Sequence, residues 1–210
     1  MKFNKKNYLP ILLAIIVYLL SYQIPKIVVP YDKLHFLLLP IDDQIQLFSP
    51  AILIYFFAFF QWINAIIILL KQETSITYKY TSSIIIGSLI AFAIFMLYPT
   101  AIIRPEVTGT SFFDKWIKLT FQIDNIICAM PSFHCFVSTM VIFIIKDSTS
   151  NKSYLYLNIF ISILVYISTL LTKQHYFIDV PTGILLAFIS VFITNKYNLS
   201  KLFNKLNSFI

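Results

Sequence analysis

Residues 51–70 read AILIYFFAFFQWINAIIILL, a run without one charged side chain. Coiled as an α-helix, a run of that length is about 30 Å long, which matches the hydrocarbon thickness of a bilayer. Five more apolar runs of similar length accompany it, at 8–24, 81–98, 126–145, 155–171 and 177–193. The fold class that follows is all-α, a six-helix polytopic integral membrane bundle forming a single membrane-embedded domain over 1–210. Residues 197–210 place Leu199, Leu202, Phe203, Leu206 and Ile210 at helical spacing with Lys201 and Lys205 on another face. That pattern predicts an interfacial amphipathic tail.

Composition supports the same class and removes others. Hydrophobic residues make up 59% of the chain and charged residues 12%, against about 25% charged in an ordinary soluble domain. The 3 glycines, Gly87, Gly109 and Gly183, lie too far apart for a dinucleotide fingerprint or a P-loop. The 2 cysteines, Cys128 and Cys135, cannot make a four-cysteine metal site. Asp42-Asp43 has no third ligand at suitable spacing and reads as a solvated loop. No metal and no other cofactor is expected. The first run follows Lys2, Lys5 and Lys6, but its end, Leu20 to Ile24, offers no small-x-small cleavage site, so it reads as an uncleaved anchor. Pro25, Pro30, Pro40 and Pro50 then punctuate a structured loop, whose apolar piece Leu34 to Leu39 is too short to span.

Charge sets the orientation. With the N-terminus in the cytoplasm, the inner connections hold ten basic residues against Glu73 and Asp147, and the outer connections six against seven acidic ones. The positive-inside rule then places both termini in the cytoplasm, as in a bacterial inner membrane. The net charge of +7 is accounted for by this asymmetry and by anionic inner-leaflet lipid, and nucleic acid is not an expected partner.

Ionisable groups near membrane depth are expensive and mark function. Arg104-Pro105 and Pro131-Ser132-Phe133-His134 belong to the third connection and the start of the fourth run; Lys173-Gln174-His175 and Asp179 belong to the fifth connection and the start of the sixth. Two helices separate these connections, so they emerge on one side, the outer one. Such a set supports phosphoryl transfer through a covalent histidine intermediate. His175 and Asp179, four apart, can pair on a first helical turn, with the carboxylate orienting the imidazole as nucleophile. Pro181 leaves a second possibility, that the helix begins later and Asp179 only caps it. His134 suits the general acid and base. Arg104 can grip a phosphate, Lys173 can add a point charge, and Ser132 opens a helix start of the kind that binds anions. His35 has no partner at motif spacing, and Gln61 and Asn64 read as interhelical hydrogen bonders.

Arg104-Pro105, Pro131-Ser132-x-His134 and Ser168-x6-His175-x3-Asp179 together resemble the motifs of the type 2 phosphatidic acid phosphatases, in the same order and in corresponding loops. The resemblance is specific over roughly Tyr98 to Gly183. It implies a six-helix membrane enzyme acting on a lipid phosphate, with His175 as nucleophile, His134 as acid and base, Asp179 as partner of His175, and Arg104 and Ser132 as phosphate ligands. Three motif positions differ. The lysine of the first motif falls on Leu97, the glycine of the second on Phe133, and the arginine of the third on Thr169. The third motif, lacking its arginine, looks more like the branch that includes inositol phosphorylceramide synthase and, more distantly, sphingomyelin synthase. The expected activity is a metal-independent lipid phosphatase working through a phosphohistidine at the outer face. The alternatives are a head-group phosphotransferase and a non-catalytic six-helix transporter or scaffold.

Overall fold

The computed structural model describes residues 2–203. Its α-helices, in chain order, are α1 (Tyr8–Val28), α2 (Pro40–Gln44), α3 (Ile52–Lys71), α4 (Thr74–Leu97), α5 (Phe112–Ile123), α6 (Phe133–Ser148), α7 (Lys152–Leu171) and α8 (Asp179–Lys196). Among the described residues, five helices are long and apolar enough to cross a membrane: α1, α3, α4, α7 and α8. They are consistent with an integral membrane protein. The expected fourth span is the exception. α6 has only 16 residues, because helix does not begin at Ile126. Pro131 has no N–H to give and disfavours helix in the residue before it, and Ser132 then caps the helix by accepting the Cys135 N–H at 3.3 Å. Residues 126–129 instead lie against a short parallel pair of strands, β1 (His35–Phe36) and β2 (Thr100–Ala101). Ala129 N–H donates to the Thr100 carbonyl, and Ala101 bridges Ile127.

α6 is nevertheless the centre of the bundle. Ten of its residues are buried, and it packs on α3, α4, α7 and α8. Among its neighbours are close backbone approaches. A Cβ on Gly183 of α8 would lie 2.3 Å from the Ser132 carbonyl oxygen, and one on Gly87 of α4 would strike the Phe136 ring. Gln61 of α3 reaches across to the Asn158 carbonyl and the Ser162 hydroxyl of α7, and Asn64 bonds the Tyr154 hydroxyl. These two residues tie helices together, as their place in the apolar run predicts.

Two helix ends extend beyond the hydropathy pattern. α1 continues through Pro25 to Val28 and so carries Lys26 in its last turn. α4 starts at Thr74, because its polar first turns find partners: Tyr80 hydroxyl donates to the Phe143 carbonyl and to Asp147, and Lys79 pairs with Asp147 at 2.7 Å. A local sequence signal also marks α5, which lies inside the third connection. Ser111 accepts the Asp114 N–H and Asp114 accepts the Ser111 N–H, a reciprocal capping box. The Ser111 and Ser49 hydroxyls hold Asp114 below the usual carboxylate range. α5 exposes Phe112, Trp116, Leu119 and Ile123 while burying Ile117 and Thr120, the amphipathic layout of a helix lying on an interface.

Both described ends of the chain sit at the end of the bundle away from the motif loops. Asn7 donates to the Leu69 and Gln72 carbonyls at the end of α3. After α8 the chain turns at Asn198, where φ is 50°, and packs Phe203 against Tyr78. Of the expected interfacial tail, residues 204–210 lie outside the described residues.

Candidate active site

The site is assembled at one end of the bundle from three segments: the loop between β2 and α5, the start of α6, and the turn between α7 and α8. The third segment begins where α7 ends. Thr169, at the position of the third-motif arginine, is fully buried; its hydroxyl donates to the Tyr166 carbonyl, and its own carbonyl accepts the N–H groups of Gln174 and His175. The backbone of His175 is thereby anchored to the last turn of α7.

His175 does not sit on the first turn of a helix. α8 begins at Asp179, and the pair is brought together by consecutive tight turns, with Asp179 N–H donating to the Tyr176 carbonyl and Val180 N–H to the Phe177 carbonyl. Asp179 does more than cap. Its Oδ2 lies 3.2 Å from His175 Nδ1 and accepts the Tyr176 N–H at 2.9 Å. A carboxylate can only accept, so this contact calls for the proton on Nδ1, and in the neutral ring that tautomer leaves the lone pair on Nε2. Asp179 is fully buried, which keeps water from competing for that contact.

His134 approaches from α6. Its ring centroid is 6.1 Å from that of His175, the two planes tilted by 63°. Tyr55 of α3 lies 4.3 Å from it, centroid to centroid, with Phe59 and Trp62 at its edges. The His134 Nε2 is buried and has no hydrogen-bond partner within the described residues. Two histidines, one oriented by a carboxylate and one whose Nε2 lacks a hydrogen-bond partner among the described residues, are therefore within a substrate group's width of each other.

The expected phosphate ligands are placed unevenly. Arg104 donates from Nη1 to the Phe121 and Asp124 carbonyls and from Nη2 to Gln174 Oε1, with its guanidinium over the Phe121 ring. A guanidinium has five N–H donors, so Nε–H and one Nη2 hydrogen stay uncommitted. Burial pulls Arg104 below its ordinary value, partly offset by Asp124, yet arginine stays charged at any working pH. Ser132 is fully buried and already engaged: its hydroxyl caps α6, and its N–H donates to the Asp179 carbonyl at 3.1 Å. That last bond ties the start of α6 to the start of α8. Lys173 has φ 52° at the end of α7, a left-handed position where glycine is usual, and its Nζ donates to the Asp42 carbonyl at 2.9 Å.

Asp42 corrects the reading of Asp42-Asp43 as a solvated loop. It is 3% exposed; one carboxylate oxygen accepts the Leu39 N–H and the other the Phe177 N–H at 2.7 Å. It latches α2 onto the turn that carries His175. Pro40-Ile41-Asp42 at a helix start was the available signal, but nothing local names Phe177 as the partner. Asp42→Ala leaves that N–H unpaired, and thermal unfolding should show a loss of ~1–3 kcal/mol together with reduced turnover.

A second cluster that the motifs do not mention lies beside His134. Lys26 of α1 and Asp124 after α5 form an ion pair at 2.5 Å, with side chains 8% and 23% exposed. Tyr22 hydroxyl donates to the same carboxylate, and its ring lies under the ammonium at 3.4 Å. Lys26, Asp124 and His134 all line a cavity of about 900 Å³ bounded by α1, α3, α4, α5 and α6, whose walls are mostly apolar, with Gln23, Thr81, Thr120 and Asn125 among the exceptions. Cys128 and Cys135 are both buried and unpaired as a disulfide.

Residues 33–193 match the sequence family described as the PAP2 superfamily. No curated protein and no solved structure matches the chain.

Proposed function

This chain belongs to the PAP2 superfamily, and on that footing we propose that it is a phosphoesterase that removes phosphate from a lipid phosphate through a phosphohistidine on His175. Membership brings the expectation of phosphatase chemistry. The observation that supports the lipid reading is the cavity, a mostly apolar cleft large enough for hydrocarbon chains and lined by His134, whose ring lies 6.1 Å from that of His175, the partner of Asp179.

The chemistry divides into two displacements. His175 Nε2 attacks phosphorus and the bond to the ester oxygen breaks, while His134 protonates the departing alkoxide. Water then attacks the phosphohistidine and His134 takes its proton, which returns both rings to their starting state. Asp179 holds the Nδ1 proton throughout and stabilises the positive charge that builds on His175. The uncommitted donors of Arg104 and the first-turn N–H groups of α6 are the groups available to stabilise the charge that spreads over the phosphoryl oxygens.

The test is turnover of purified protein on a panel of lipid phosphates with and without alcohol acceptors, reading both free phosphate and new lipid products. Phosphate release that persists in a chelator is expected; loss in chelator with rescue by magnesium would falsify the histidine mechanism. Transfer to an alcohol without phosphate release would instead make the chain a head-group phosphotransferase. That outcome has some support, because Leu97 is 84% exposed and the Thr169 hydroxyl is spent on Tyr166, so neither position offers the charge a doubly ionised monoester prefers.

The charge asymmetry further supports cytoplasmic termini and an outward site. A cysteine at the exposed Thr108, with Cys128 and Cys135 replaced, should react with an impermeant thiol reagent on intact cells. Labelling only after permeabilisation would invert the topology.

A further inference from the structure

A phosphoryl group needs more positive charge than the motif residues deliver here. Leu97 points away into the surroundings, Thr169 is buried with its hydroxyl used, and Lys173 is held on the Asp42 carbonyl. Arg104 keeps two donors but spends three on the protein. Yet a second buried cation stands at the head of the same cleft. Lys26 lies outside the matched residues 33–193, on α1, and lines the cavity together with His134. It is connected to the motif residues as well, since Asp124 holds Lys26 through its carboxylate and Arg104 through its backbone carbonyl.

We propose that Lys26 is a phosphate-binding residue of this site, parked on Asp124 in the empty cleft and shared with the substrate phosphate when the head group arrives. The proposal rests on the phosphoester reading above. An ammonium has three donors, and the contact with Asp124 spends one. A buried ion pair contributes little net stability relative to apolar residues of the same size, so tying α1 to α5 alone gives weak reason for a lysine at this place. The Tyr22 ring, which faces the ammonium, steadies it without neutralising it. Asp124 has a definite sign in this scheme: its carboxylate competes with phosphate for Lys26 and repels the incoming anion, so removing that charge should strengthen binding.

The experiment measures kcat and KM of the full chain in detergent on hexadecyl phosphate. Lys26→Met should raise KM roughly tenfold or more, the loss of one charge-assisted hydrogen bond, with a smaller change in kcat, while Lys26→Arg stays near wild type. Asp124→Asn should lower KM. The double variant Lys26→Met with Asp124→Asn separates binding from architecture. If the pair only joined α1 to α5, removing both charges together would restore wild-type KM; if Lys26 binds phosphate, the raised KM persists. An unchanged KM in Lys26→Met, or its restoration in the double variant, overturns the proposal. Should Lys26→Met fail to fold, Asp124→Asn decides alone, since an equal or higher KM sinks the idea. Stabilisation by orthovanadate in thermal unfolding gives a readout independent of turnover, and equal stabilisation of wild type and Lys26→Met also overturns it. His175→Ala run alongside keeps the two claims apart: wild-type turnover in that variant defeats the phosphoester reading itself, whereas its loss beside an unaffected Lys26→Met defeats only the role of Lys26.

Discussion

His175→Ala should abolish turnover and, in the same preparation, abolish the acid-labile phosphoryl label trapped by rapid quenching. The expected loss is about 10⁶-fold, the scale seen when a covalent nucleophile is removed. The geometry behind this expectation is specific. Asp179 fixes the proton on Nδ1 from 3.2 Å, and the Thr169 carbonyl holds the His175 backbone, so one nitrogen is left bare and its position is set from two directions. His134→Ala should behave differently. It removes the proton donor and loses about 10²–10⁴-fold on an alkyl ester, but with p-nitrophenyl phosphate, whose leaving group needs little help, it should still form the label on His175. Equal label in wild type and His175→Ala would show that the nucleophile lies elsewhere, and wild-type turnover in His175→Ala would favour a scaffold over an enzyme.

Gly183→Ala should also cost turnover, by a smaller factor and without touching a reacting atom. In an exposed helix the change would stabilise by about 1 kcal/mol. Here the new methyl would lie 2.3 Å from the Ser132 carbonyl oxygen and 3.0 Å from the Cys135 Cβ. The first of these is backbone, so α6 and α8 must separate. Overpacking of this kind costs ~1–3 kcal/mol, and the larger effect falls on alignment. Ser132 N–H bonds the Asp179 carbonyl, so the two helix starts that carry His134 and Asp179 are set by this one approach. A displacement of about 1 Å can cost 10²-fold in rate. The expected result is a folded protein with turnover reduced roughly 100-fold on that basis, checked by activity per folded molecule and by thermal unfolding. Wild-type activity in Gly183→Ala would mean that the α6–α8 spacing does not govern the site.

Much of the candidate site's arrangement was legible because the spacing of its residues is local. His175 and Asp179 stand four residues apart, and Ser132 and His134 two, so spacing along the chain already implies which groups can share a turn. The five long helices were equally legible, since an apolar run of bilayer length has few other uses. Misreadings arose where a partner far along the chain overrides a local pattern. The polar start of α4 is helical because Asp147 receives Tyr80 and Lys79. Asp42, which reads as solvated, is buried because Phe177, 135 positions away, donates to it.

By itself, the sequence determined what short-range physics can decide: an all-helical chain with membrane-length apolar helices, and a histidine–aspartate pair four residues apart with a second histidine expected on the same side. The start of α6 at Phe133, where the apolar run 126–145 predicted a longer helix, was decided by Pro131 and by the pairing of residues 126–129 with the strands. Tertiary structure alone decided which atoms remain available. It committed Ser132 to the α6 cap and to Asp179, tied Lys173 to Asp42, gave three of the Arg104 donors to carbonyl oxygens and Gln174, and brought Lys26 to Asp124 across 98 positions to the mouth of an apolar cleft. The reason is that hydrophobic periodicity and turn chemistry act over a few residues, whereas a buried polar group must take whichever partner the packed helices deliver to it, and no local pattern states which one that is.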